Sequence, residues 1–315
     1  MKRILTILLF VLVLLTVGIV LLFGHRDIPL EELKAKYAQA PSQFMEIDGM
    51  DVHFRDEGNP NDSIPIVLIH GTGSSLHTFD DWTSTLSQDY RVIRMDLPAY
   101  GLTGPFPDRD YAMDHYVNFI KNFLKQTGVD RCILGGNSLG GQIAWRFTLA
   151  HPDQVEKLIL IDAAGYPFNA KSIPIAFKVA RMPIIKNIFT YITPKSIARS
   201  SVENVYADPS KVTDALADRY FELTLRAGNR QAFIDRLSMA VADPDPYEKI
   251  PGIFQPTLVL WGDQDLLIPV EFAERFHQDL PNDTLVILQN AGHVPMEEVP
   301  ERSLEPVLSF LSKSL

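Results

Sequence analysis

The feature that most constrains this chain is the pentapeptide Gly136-Asn137-Ser138-Leu139-Gly140, which follows the apolar run Cys132-Ile133-Leu134 and precedes the amphipathic stretch Gln142 to Leu149. A serine between two glycines at a strand-to-helix junction has the pattern of a nucleophile elbow. The glycines meet a steric need, because side chains two residues either side of the serine would collide with the neighbouring strand and helix. Such a turn exposes Ser138 Oγ, and the helix that begins there points its first amides at the same place. The pattern therefore predicts chemistry that passes through an oxygen anion.

Alone, a string of this kind is a weak signal, and its partners decide the matter. A serine hydroxyl needs a base within hydrogen-bond reach, and that base needs an acid to orient it. Downstream, Pro256-Thr257-Leu258-Val259-Leu260-Trp261 reads as a buried strand that runs into Gly262-Asp263-Gln264-Asp265. An acid just past a strand end sits on the functional rim of a parallel sheet. Leu285-Val286-Ile287-Leu288 is again a strand, and Gln289-Asn290-Ala291-Gly292-His293 follows it. The order Ser138, Asp265, His293, each after its own strand, is the order found in α/β-hydrolases.

On these residues the chain resembles an α/β-hydrolase of the cap-bearing serine esterase and carbon-carbon hydrolase type, over roughly residues 44 to 315. Val67-Leu68-Ile69-His70-Gly71-Thr72-Gly73 is similar to the family's His-Gly oxyanion loop. Asp96-Leu97-Pro98-Ala99-Tyr100-Gly101 is similar to its Asp-x-Pro-Gly-x-Gly turn, with Ala99 in place of a usual glycine. The resemblance implies a mostly parallel eight-stranded sheet flanked by helices, with a helical cap at about residues 168 to 245. It also implies Thr72 as one oxyanion-hole amide. The other, Leu139, follows from geometry, since its N–H opens the helix beside Ser138. The family spacing Gly-x-x-Asp favours Asp265 as the acid; Asp263 and Asp162, which ends the strand before the cap, are rivals. A serine at the elbow weighs against dehalogenases and epoxide hydrolases, which use a carboxylate there.

The expected reaction is hydrolysis of a hydrophobic carboxylic ester through an acyl-enzyme, with carbon-carbon cleavage of dienoic ring-fission products as the alternative. A non-catalytic binding module on the same fold would lose a triad member, and all three candidates are present. No cofactor is expected, and no metal-binding motif such as HExxH or paired cysteines is found. The net charge of −10, with no basic stripe, argues against a nucleic-acid partner. Cys132, the single cysteine, lies in an apolar strand and reads as a buried small hydrophobe. His70 is expected to organise the oxyanion loop, while His115, His151 and His277 belong to helices or their flanks.

The second strong signal is the N-terminus. Ile4 to Phe23 is an uncharged, almost wholly apolar run of 20 residues, long enough to cross a bilayer core of about 30 Å. A cleaved signal has a shorter apolar stretch, roughly 7 to 15 residues, and a prompt small-residue cleavage site. Here the first Ala-x-Ala after the run, Ala38-Gln39-Ala40, lies far beyond it. The expected organisation is a transmembrane anchor over residues 1–24, a linker over 25–43 and the hydrolase domain over 44–315. Lys2 and Arg3 before the run place the catalytic domain outside the cytoplasm, against the pull of Arg26, Lys34 and Lys36.

Between the strand ending at Asp162 and the one starting at Pro256, helical patterns replace the strand-helix alternation, which marks the cap insertion. Its apolar stretch from Ile173 to Phe189 carries Lys178, Arg181 and Lys186. Either it closes the pocket or it touches the bilayer.

Overall fold

The computed structural model describes residues 23–167, 170–182, 185–239 and 246–313, with Arg3, Thr6, Phe10, Val11 and Gly18. Strands β1 (Gln43–Ile47) and β2 (Met50–Glu57) form a hairpin whose turn residues Asp48 and Gly49 have φ of 51° and 79°. Two consecutive positive φ values match the right-handed twist of the flanking strands, which is why a short Asp-Gly turn suffices. Six further strands follow: β3 (Ile66–Ile69), β4 (Val92–Met95), β5 (Cys132–Asn137), β6 (Val155–Ile161), β7 (Thr257–Gly262) and β8 (Asp283–Leu288). The sheet has eight strands in the order β1-β2-β4-β3-β5-β6-β7-β8. Only β2 runs against its neighbours.

Strands β3, β4, β5 and β7 are buried along their whole length, as parallel strands covered by helices on both faces must be. Their side chains alternate between two cores. Val67 and Ile69 join the core under α3 (Met113–Gln126), while Ile66 and Leu68 join the one under α2 (Asp80–Leu86). The stripe expected on the former helix, Tyr116, Val117, Ile120, Phe123 and Leu124, is buried there. Helix α4 (Leu139–Ala150) follows β5 directly, so the elbow sits at the centre of the sheet.

The insertion after β6 contains five helices among the described residues: α5 (Ile175–Arg181), α6 (Ile185–Phe189), α7 (Lys195–Glu203), α8 (Asp214–Thr224) and α9 (Asn229–Met239). Helix α10 (Glu271–Asp279) lies between β7 and β8, and α11 (Pro295–Glu298) and α12 (Pro300–Ser312) end the domain.

The segment read as a linker contains a short helix, Leu30–Tyr37, and it packs on the cap. Ile28 N–H donates to Leu225 O at 2.8 Å, and Asp27 meets the buried guanidinium of Arg230 at 2.6 Å. Lys36 and Tyr37 both reach Glu222, each at 2.7 Å. Leu33 is buried against Leu102 and Leu223. The expected transmembrane helix at 4–23 lies mostly outside the described residues; among those described, no helix is long and apolar enough to cross a membrane.

Candidate active site

Ser138 takes φ 54° and ψ −116°, a conformation in which an L-residue is strained. The turn is enforced by contacts that exclude side chains. A Cβ on Gly136 would stand 2.3 Å from Gly140 C, and one on Gly140 would stand 2.1 Å from Ile69 O. Ser138 N–H donates to Ile161 O at 3.0 Å, and Ala164 N–H returns to Ser138 O at 3.1 Å. The strain is thus held by bonds on both sides of the serine.

His293 and Asp265 come together from separate loops. His293 Nδ1 lies 2.6 Å from Asp265 Oδ2, with both side chains buried. The other carboxylate oxygen of Asp265 accepts from the amides of Leu267 and Ile268 at 2.8 and 2.9 Å. A carboxylate so occupied only accepts, so Nδ1 carries the proton and Nε2 is the basic nitrogen. Ser138 and His293 line one cavity, together with Gly71, Thr72, Gly73 and Asn137.

The rival acids make different contacts. Asp263 reaches only the amide of Ala291, at 3.4 Å. Asp162 lies close to Asp265 and His293, with one oxygen or nitrogen of each within 4.8 Å of the others. Its Oδ1 accepts from Gly262 N–H at 3.0 Å, and its Oδ2 is buried. Burial and the neighbouring charge of Asp265 push the Asp162 carboxyl well above the usual carboxylate range. Asp162 is therefore held as the neutral acid beside Asp265.

Both oxyanion-hole candidates flank the serine. The N–H of Leu139 stands at the first position of α4, where no intrahelical acceptor exists. Thr72 lines the cavity from the loop after β3. His70 braces that loop. Its Nδ1 lies 2.8 Å from Gly71 O and its Nε2 accepts from Leu97 N–H at 2.9 Å, which fixes a neutral tautomer. Complete burial lowers its pKa and keeps it neutral. His277 is exposed and pairs with Asp283, and His115 stacks on Phe106.

One contact is invisible in the pattern of motifs. The Asn137 side-chain amide donates to His293 O at 2.9 Å and to Ile161 O at 3.2 Å, which ties the elbow to the histidine loop. Its place inside the pentapeptide is the only signal that could have found it. Over the serine, the cap supplies Phe177, Phe189, Ile197, Val202, Tyr220 and Phe233. The cavity they close has about 1010 Å³ of space, counted with its open mouth. Among the described residues, its lining contains no Lys, Arg, Asp or Glu.

Comparison with known proteins agrees with this architecture. The chain is 27% identical over 281 residues to the 2-hydroxy-6-oxo-6-(2'-aminophenyl)hexa-2,4-dienoic acid hydrolase of Metapseudomonas resinovorans, covering 86% of this chain and 91% of that protein. A meta-cleavage product hydrolase from Pseudomonas fluorescens superposes with a TM-score of 0.73 at 23% identity, over 85% of this chain and 97% of its own. A membrane phospholipase A superposes with a TM-score of 0.72 at 26% identity, over 99% of this chain and 98% of its own. The sequence profile of the alpha/beta hydrolase fold matches residues 64–300. With that match across most of its length, and a strained serine on a central strand of the sheet, the chain belongs to the alpha/beta hydrolase fold family.

Proposed function

We propose that the protein is a serine hydrolase of neutral, hydrophobic carboxylic esters. The observation that carries this reading is the cavity lining: among the described residues, its only ionisable side chains are His293 and the phenols of Tyr100 and Tyr220. A substrate carboxylate taken into such a cavity would lose its hydration and gain no cationic partner, at a cost of several kcal/mol. A neutral ester loses little.

In the proposed reaction His293 Nε2 takes the proton of Ser138 Oγ as Oγ bonds to the ester carbon. Asp265, fixed by its two amides, holds Nδ1–H and stabilises the imidazolium. The amides of Leu139 and Thr72 receive the oxyanion. Collapse breaks the bond to the alcohol oxygen, which leaves with the proton from His293. Water then attacks the acyl-serine, giving up a proton to the same nitrogen; collapse breaks the bond to Ser138 Oγ, which takes that proton back from His293, and the acid departs.

Carbon-carbon cleavage is the second reading, and the similarity to ring-fission product hydrolases favours it. Those relatives are named for acids, and the uncharged lining here stands against it. The apolar run at 4–23 and the similarity over nearly the whole chain to a membrane phospholipase A support a single-pass anchor, with lipid esters among the substrates. Lys2 and Arg3 support a catalytic domain outside the cytoplasm.

The test is hydrolysis of p-nitrophenyl esters of graded chain length by the full-length chain, beside Ser138→Ala and His293→Ala. Turnover abolished by both substitutions is the expected result. Turnover confined to a dienoate ketone would move the assignment to the second reading.

A further inference from the structure

Glu298 is a buried carboxylate that no lysine or arginine pairs with among the described residues. Its partners are three backbone amides from two different segments. Oε2 accepts from Gly292 N–H at 2.7 Å and from Ala207 N–H at 3.1 Å, and Oε1 accepts from Asp208 N–H at 2.8 Å. Gly292 stands directly before His293, whereas Ala207 and Asp208 belong to the cap, where the chain leaves α7. A second link closes the same seam: His293 N–H donates to Val205 O at 2.8 Å. Val205 also lines the cavity. The two segments are so close that a Cβ on Gly292 would stand 2.5 Å from Val205 O and 2.6 Å from Ala207 N. Glutamine cannot reproduce the arrangement, because its NH₂ would face an amide N–H where an oxygen is needed.

We propose that Glu298 is a positioning residue for His293, joining cap residues 205–208 to the histidine loop so that the imidazole keeps its alignment only while the cap is seated. This rests on the reading of His293 as the general base. The consequence is a coupling between cap and catalytic base. Lifting the 205–208 segment strips the histidine loop of the Val205 acceptor and leaves the Glu298 carboxylate with the Gly292 amide alone.

The test is Glu298→Gln in the full-length chain, read by the rate at which a fluorophosphonate labels Ser138 and by the pH dependence of that rate. Labelling needs the serine and its base but no knowledge of the substrate. The expected result is a loss of roughly 10- to 100-fold, the scale of a catalytic group misplaced by an ångström. A looser His293–Asp265 pair stabilises the imidazolium less, so the acid limb of the labelling rate should also move to lower pH. A variant that melts as wild type, with the wild-type rate and acid limb, would overturn the proposal. Where Glu298→Gln does not fold, Gly292→Ala carries the test: its methyl displaces the 205–207 segment while the carboxylate remains, and the same two changes are expected. Wild-type behaviour in Gly292→Ala overturns the proposal equally. A wild-type chain that labels at Ser138 yet hydrolyses no ester refutes the substrate reading alone.

Discussion

Asn137 and His293 are joined across 156 residues of sequence by one hydrogen bond, from the asparagine amide to the histidine carbonyl at 2.9 Å. The same amide holds Ile161 O, so one side chain fixes the elbow, the end of β6 and the histidine loop. Asn137→Ala takes the donor from the buried His293 carbonyl, while Ile161 O keeps the N–H of Ser138. The expected cost is about 1–3 kcal/mol in stability. A slackened histidine loop should lower kcat by roughly 10-fold. Urea unfolding and ester kinetics on the same preparation measure both.

Asp265→Asn should preserve the shape of its loop, since an amide oxygen can still accept from Leu267 and Ile268. It cannot hold the Nδ1–H tautomer or an imidazolium. The expected loss is in kcat, about 10³- to 10⁴-fold, with KM nearly unchanged. A loss below tenfold would remove Asp265 from the role of triad acid.

Asp162 gives the protein a pH dependence that an asparagine would erase. The unfolded chain ionises this carboxyl from about pH 4 upward. The folded chain keeps the proton, because burial and the Asp265 charge raise the folded value. With more protons bound in the folded state, wild-type stability falls as pH rises from the ordinary carboxylate value towards the raised one, by at most about 1.4 kcal/mol per pH unit. The stability difference between Asp162→Asn and wild type should therefore grow in favour of the variant between about pH 5 and pH 8. A difference that stays flat over that range would mean that folded Asp162 is ionised.

Ala99 has φ 85°, in the region where an L-residue clashes with its own backbone. The strain there is about 1 kcal/mol, and glycine avoids it. Part of the gain is returned to the unfolded chain, whose freedom glycine increases. Ala99→Gly is expected to raise Tm by about 2 °C. Scanning calorimetry decides the sign, and a lower Tm would show that the Ala99 methyl contributes packing worth more than the strain.

How far the sequence discloses the site depends on how local each cause is. Ser138 is legible because its strain is created within five residues, and the glycines that permit it are written beside it. The sheet is legible because fully buried strands need continuous apolar runs, and β3, β5 and β7 have them. The choice among Asp162, Asp263 and Asp265 is less so, because all three follow strands; what separates them is which oxygens receive loop amides and which meets His293. Glu298 has no local mark at all. Two of its three partners lie in a segment some 90 residues earlier, and only the folded cap brings Ala207 and Asp208 to it. The packing of residues 24–37 on the cap is equally silent, since its polar helix looks like any solvated spacer.

The uncharged lining of the cavity also bears on what happens after the chemistry. On the proposed ester reading, hydrolysis converts a neutral substrate, inside the protein, to an acid that ionises at neutral pH. Among the described residues, the lining that admits the ester offers that anion no lysine or arginine, and water outside offers full hydration. Turnover is thus made directional by solvation: entry is favoured by apolar surface, exit by the charge that the reaction itself creates, and accumulated fatty acid is a weak competitor for the site.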